Sequence, residues 1–285
     1  SDVLQGVTKQ VWNTTGIAGT VINDLLATGN ARAKMNQNLA PKDGNRNVQL
    51  DSVTSATMVN ALKGLFQDST QIKEQYREGM LGRTAMADFY ENERTWALAN
   101  ASNVTGQTLN SVTLANGTTS IAVSGGTVTP TVGQVFTLSG VFAVHPETKA
   151  AFANLQQFVV GAGSTASTLQ ITPAIFITGA QKNVSDSTGA DLVPAAVQTA
   201  ALTYWGSAST SYQQNLMYHK DAFTFATADL PLQAGAQQCV IRQYDGISLR
   251  VWQAPDIRND ELLTRLDILY GYAAIRPQWA CRISN

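Results

Sequence analysis

A chain of 285 residues and 30.4 kDa can bury about three quarters of its unfolded surface, so its core needs no disulfide or metal staple. Nineteen Lys and Arg against twenty Asp and Glu give a net charge of -1, with 14% of residues charged and no basic run. That balance excludes tight binding to nucleic acid through phosphate neutralisation. No apolar run approaches the roughly 20 residues that span a bilayer, and residues 1–10 lack a signal-peptide apolar stretch.

Trp12 and Gly16 lead into a predicted helix over residues 20–39, where Ile22, Leu25, Leu26, Ala33 and Met35 fall near one face and Gly29 is a weak point. Pro41 and the Lys42-Asp43-Gly44 turn end it. Residues 48–50 form a short strand. Asp51 or Ser52 then caps a second helix, with Met58, Leu62, Leu65 and Phe66 at spacings of three and four. A third helix covers 69–80, ending at Gly79 or Gly82, and residues 83–91 alternate as a strand.

A long block without charge follows. Residues 95–146 contain no Lys, Arg, Asp or Glu, nor do residues 150–181, so Glu147 and Lys149 stand alone between them. The runs SVTL (111–114), TSIAVS (119–124), QVFTLS (134–139), FVV (158–160) and TLQIT (168–172) are separated by Asn116-Gly117, Gly125-Gly126, Gly133 and Gly161-Ala162-Gly163. Short β-rich runs with this punctuation make a compact antiparallel module. Flanks rich in acids, bases and aromatics mark it as an insertion into a loop of a discontinuous domain. A single β-rich domain with a polar middle is the other reading. Residues 149–158 read either as a turn of helix or as a loop crossing.

Residues 215–232 return as one or two strands and a Pro-stopped turn. Val240, Ile241 and Arg242 form a strand. Ile247, Leu249 and Val251 then face away from Ser248, Arg250 and Trp252 until Ala254-Pro255-Asp256 breaks the strand. A final strand over 265–275 sets Leu266, Ile268, Tyr270 and Tyr272 against Arg265 and Asp267, and these last two runs are candidates to pair.

Chemistry is sparse. His145 precedes Pro146 in the uncharged block and reads as a turn residue, and His219, beside Lys220 and Asp221, reads as a surface or packing residue. Neither has a partner for a metal site. Cys239 and Cys281 sit in apolar strands and read as inert core thiols. The sequence has no nucleotide-binding, zinc-protease, hydrolase or calcium signature, so no catalytic, cofactor or metal residue is assigned. QYREGMLGR (75–83) carries Arg77, Glu78 and Arg83, whose forked guanidinium groups suit carboxylates on a neighbouring molecule.

The order of GLFQDSTQIKEQYREGMLGRTAMADFYENE (64–93), SGVFAVHPETKAAFANLQQFVV (139–160), QQNLMYHKDAF (213–223) and LYGYAAIRP (269–277) resembles the P22-type major coat proteins of tailed bacteriophages. The resemblance implies an α+β HK97-type capsid fold, with axial and peripheral domains and an inserted telokin-like β-barrel. Residues 1–103 and 212–238 would be axial, 104–211 the inserted barrel, and 239–285 peripheral strands and C-terminus. It also implies a structural subunit, without enzymatic activity or cofactor, forming hexamers and pentamers of an icosahedral virion shell assembled in the bacterial cytoplasm. Scaffolding protein, portal and a decoration protein are the implied partners. The shell would enclose double-stranded DNA without sequence-specific binding, and no membrane is involved.

Two departures stand out. The chain reads as starting after the N-terminal arm, extended loop and spine helix of the family. Its segment 104–117 is also uncharged where the family's capsomer-bridging loop carries charge. A β-rich tail or decoration module, or a nanocompartment shell protein, are the alternatives. The first leaves the helical frame unexplained and the second leaves the insertion unexplained.

Overall fold

The computed structural model describes residues 2–62, 82–84, 86–102, 106–111, 114–233, 238–256 and 258–285. In chain order these form α1 (Asp2–Thr8), β1 (Thr14–Thr15), α2 (Leu25–Gln37), β2 (Arg46–Leu50), α3 (Ser52–Leu62), β3 (Arg83–Thr84), β4 (Ala87–Glu91) and β5 (Trp96–Ala99). Then come β6 (Thr108–Leu109), β7 (Thr118–Ser124), β8 (Val135–Val144), β9 (Ala151–Val160), β10 (Thr168–Ile175), β11 (Val184–Ser185) and β12 (Leu202–Tyr204). The last are β13 (Ser211–His219), β14 (Phe223–Ala228), β15 (Gln238–Tyr244), β16 (Ile247–Asp256), β17 (Glu261–Asp267), β18 (Leu269–Ala274) and β19 (Ala280–Ser284). The architecture is mixed α+β. Two compact units divide the chain, Ser1–Ala222 with Arg276–Asn285, and Phe223–Ile275.

The first unit holds a long mixed sheet in the order β1-β19-β13-β2-β4-β3, with β5 pairing the first half of β13. One face is covered by helices. Asp24 starts α2 by accepting hydrogen bonds from Leu26 N and Ala27 N, a strong N-cap. Thr28, Ala31 and Met35 of α2 are buried, and Ala31, Met35 and Met58 of α3 pack on Val48, Leu50, Met217, Cys281 and Ile283. The helix therefore starts five residues later than the sequence predicts, and Leu26 and Ala33 face outward rather than into the core. Arg46 is buried with its guanidinium donating to Pro41 O (2.9 Å), Ala40 O (2.8 Å) and Asn36 Oδ1 (2.9 Å). It thereby satisfies carbonyls just past the end of α2, where a cation is favoured.

The charge-free block folds as a second, curled half-barrel sheet in the order β11-β8-β9-β10-β7-β6, with β12 on the other side of β8. Its core includes Leu109, Ile121, Phe136, Leu138, Phe158, Leu169, Ile171 and Val184. Phe136 contacts Phe158 and Tyr204 at ring-centroid distances of 5.8 and 5.5 Å. Amide side chains stand where charges are absent. Asn183 receives Phe176 N and donates to Ala174 O, while Asn116 receives Ile177 N and Thr178 N. Leu109 N donates to Ala200 O (2.9 Å) and Leu202 N to Gln107 O (2.9 Å), so β6 meets the segment leading into β12.

Several sequence expectations are corrected. Residues 151–158 are neither helix nor loop but continue the β run 158–160 as strand β9, paired with β8 from Val135↔Val159 to Val144↔Ala151. Of the predicted strand 111–114, residues 112–113 lie outside the described residues, and the strand that forms nearby is β6. The Ala254-Pro255-Asp256 segment does not break its strand, because Pro255 continues β16 opposite Leu262 of β17. Residues 265–275 are two strands rather than one, β17 joining β16 and β18 joining β14. The predicted helix 69–80, with Leu65 and Phe66, lies outside the described residues.

Candidate assembly surfaces

The second unit contains the three-stranded antiparallel sheet β15-β16-β17 and the two-stranded ribbon β14-β18. Register runs from Gln238↔Gln253 to Tyr244↔Ile247 on one side of β16, and from Arg250↔Asp267 to Asp256↔Glu261 on the other. Side chains alternate along strands. One face therefore carries Val240, Leu249, Val251, Leu262 and Leu266, with Ile247 and Tyr244 at its end and Arg242 its single charge. The opposite face carries Ser248, Arg250, Trp252, Arg265 and Asp267 together with Ile241 and Leu263.

This unit covers the charged face around Ser248 and Arg250, while Arg265 and Leu263 stay exposed. Arg250 Nη2 bonds Asp267 Oδ2 at 2.5 Å, Arg265 Nε bonds Asp267 Oδ1 at 2.6 Å, and Arg250 Nη1 donates to Pro231 O at 2.7 Å. Ser248 bonds the Asp229 carboxylate, and both Ser248 and Arg250 are buried. Trp252 lies 5.7 and 6.0 Å from the Arg250 and Arg265 guanidinium carbons. Hydrogen bonds from Arg250, then Arg265, hold the Asp267 carboxyl below its ordinary range.

The apolar face is left open. On it Leu262, Leu266 and Tyr244 are 58, 63 and 86% exposed and Ile247 is exposed, while Val240, Leu249 and Val251 are half-buried. Among the described residues of 223–275, no apolar side chain is fully buried. Exposed apolar side chains gathered on one sheet face mark a contact surface. Burying Leu262 and Leu266 stabilises by about 1.5–3 kcal/mol each.

Of the sequence candidates, Arg77 and Glu78 lie outside the described residues. Arg83 lies on β3, at the edge of the long sheet, where Nη2 donates to Gly44 O at 2.8 Å and Nη1 sits 3.6 Å from Asp88 Oδ1. Its half-exposed guanidinium is thus tied within its own chain. His145 is a turn residue, as expected, with Nδ1 accepting from Glu147 N and Thr148 N. His219 is a packing residue and not a surface one. It is fully buried, with Nδ1 accepting from Asp221 N, Nε2 2.9 Å from Asp43 Oδ1, and its ring edge-on to Trp279. Hydrogen bonds from the Asn45 side chain and backbone, then from His219, hold the Asp43 carboxyl far below its usual range. Both cysteines are free, and burial pushes the Cys281 thiol up to about 11. The inverted sheet was missed from the sequence. The alternation of Leu262, Thr264 and Leu266 against Leu263, Arg265 and Asp267 was the available signal, and it gives two faces without saying which one the chain covers.

A family model described as P22 coat protein, gene protein 5, matches residues 11–281. The chain belongs to the P22 coat protein family. No curated protein matches it. Membership makes the chain a phage coat protein, a structural and non-enzymatic role in which copies of one subunit associate into a capsid. An open apolar sheet face is what such a subunit needs, since a coat protein's contacts are completed by other protein in the shell.

Proposed function

We propose that this chain is the major capsid protein of a tailed double-stranded DNA bacteriophage, an HK97-type subunit whose copies form the hexamers and pentamers of an icosahedral head. The family match over residues 11–281 carries this reading, and the outward apolar face of the second unit supports it. In the assembled coat that face is covered by protein. Weak contacts repeated over many subunits then sum to a stable shell while single errors stay reversible.

Within this reading, residues 104–211 are the inserted β-barrel. Residues 1–103 and 212–238 are axial. In the stretch 239–285, β15, β16 and β17 answer to the peripheral domain, while β19 is hydrogen-bonded between β1 and β13 of the axial sheet. Arg77, Glu78 and Arg83 are candidate contact residues. A scaffolding protein directs assembly, a portal occupies one vertex, and DNA is enclosed without base readout. The net charge of -1 suits a container whose DNA is neutralised by small cations. Sedimentation of the complete gene product, with and without scaffolding protein, followed by imaging of the heaviest fraction, tests the reading. Closed megadalton shells support it, and a stable monomer or trimer under both conditions removes it.

A further inference from the structure

Within the first unit, the curled sheet is joined to the long-sheet part by two chain segments that bond to each other. Asn100 N donates to Thr210 O (2.9 Å) and Ser209 N to Ala101 O (3.3 Å), while the Asn100 side chain donates to Trp205 O and Ser207 O. A body on a two-segment neck pivots unless something else holds it. Gln157 of β9 is placed to do so. Its Oε1 accepts Thr14 N at 2.9 Å and its Nε2 donates to Thr14 O at 3.1 Å. The side-chain amide thus pairs both backbone groups on the free edge of β1, the edge strand of the long sheet, as a neighbouring strand would. Lys34 Nζ of α2 reaches the same two acceptors, Gln157 Oε1 and Thr14 O, both at 2.6 Å.

A further tie runs from Arg282 Nη1 of β19 to Gly133 O at 2.6 Å, and Trp12, Val135 and Val159 add a small apolar contact with Trp205 against it. Beside Lys34 and Gln157 lies a polar cleft of about 30 Å³, bordered by Asn13, Asn38, Asn154 and Gln156. It has room for about one water, which can take over the clasp's hydrogen bonds as they open.

We propose that Gln157, Lys34 and Thr14 form a releasable clasp that sets the angle between the curled sheet and the long sheet, so that this angle changes by opening the clasp without unfolding either sheet. Hydrogen exchange and residual dipolar couplings on the unassembled subunit test it. In Gln157→Ala, the Thr14 amide exchanges about tenfold faster, the change one net hydrogen bond of ordinary strength produces. The relative alignment of the two sheets shifts, while the Phe136 and Phe158 amides in the curled sheet keep their protection. Gln157→Glu keeps an acceptor for Thr14 N and Lys34 but loses the donor to Thr14 O, so its Thr14 amide is expected to exchange more slowly than in Gln157→Ala and faster than in the unmodified protein. The proposal is overturned if Gln157→Ala leaves alignment and Thr14 protection unchanged. Equal acceleration throughout β8 and β9 also overturns it, because Gln157 then acts only through the stability of its own sheet.

Discussion

The curled sheet and the three-stranded sheet of the second unit are both antiparallel, yet they treat apolar side chains in opposite ways. The first encloses Phe136, Phe158, Leu169 and their neighbours and shows polar amides and hydroxyls outside. The second encloses Ser248, Arg250 and the inner ion pair to Asp267 and shows Leu262 and Leu266 outside. Burial is what converts an apolar strand into stability. The curled sheet therefore carries its own stability, whereas the other completes its burial only in company.

That contrast can be broken from either side. Phe158→Ala has the largest expected effect, a loss of about 3–5 kcal/mol confined to the curled sheet; calorimetry showing no change would place the core of the module elsewhere. Acid titration sharpens the contrast at the covered charged face. Because Asp267 is held below its ordinary value of 3.8, it contributes stability above that value and loses it as pH falls through the lower folded value. Unfolding curves across the acid range are expected to show a second-unit contribution that Asp267→Asn abolishes. Ala at both Arg77 and Arg83 is expected to impair shell assembly with the curled sheet still folded, since Arg83's half-exposed tie to Asp88 is itself worth at most about 1 kcal/mol. Normal shells from that variant remove both arginines from the contact surface.

The curled sheet was legible because its composition changes abruptly at residue 95 and its turns are marked by glycine. Strand β9 was not. AAFANLQQF mixes Ala, Leu, Asn and Gln without β-branched residues, and its extended form is imposed by pairing with β8 rather than by local preference. Pro255 misled for a different reason. Pro255 stays in the β16–β17 pairing opposite Leu262, and a proline is tolerated in a strand where the ladder does not need its N–H. In residues 265–275 the alternation of Leu266, Ile268, Tyr270 and Tyr272 continues unbroken through the hand-over from β17 to β18, and periodicity alone does not reveal a change of partner. Arg46 and Arg282 were invisible as buried residues, because a base looks the same in the sequence whether it reaches solvent or a carbonyl.

The most direct test of the contrast is sedimentation of the complete gene product carrying Leu262→Asp and Leu266→Asp, assembled with scaffolding protein, beside the thermal unfolding of the same variant as a free subunit. The curled sheet is expected to melt as in the unmodified protein, within about 0.5 kcal/mol, as for substitutions at exposed sites, while closed shells fail to form. Normal shells from this variant would contradict the account, since the apolar face would then play no part in building the coat.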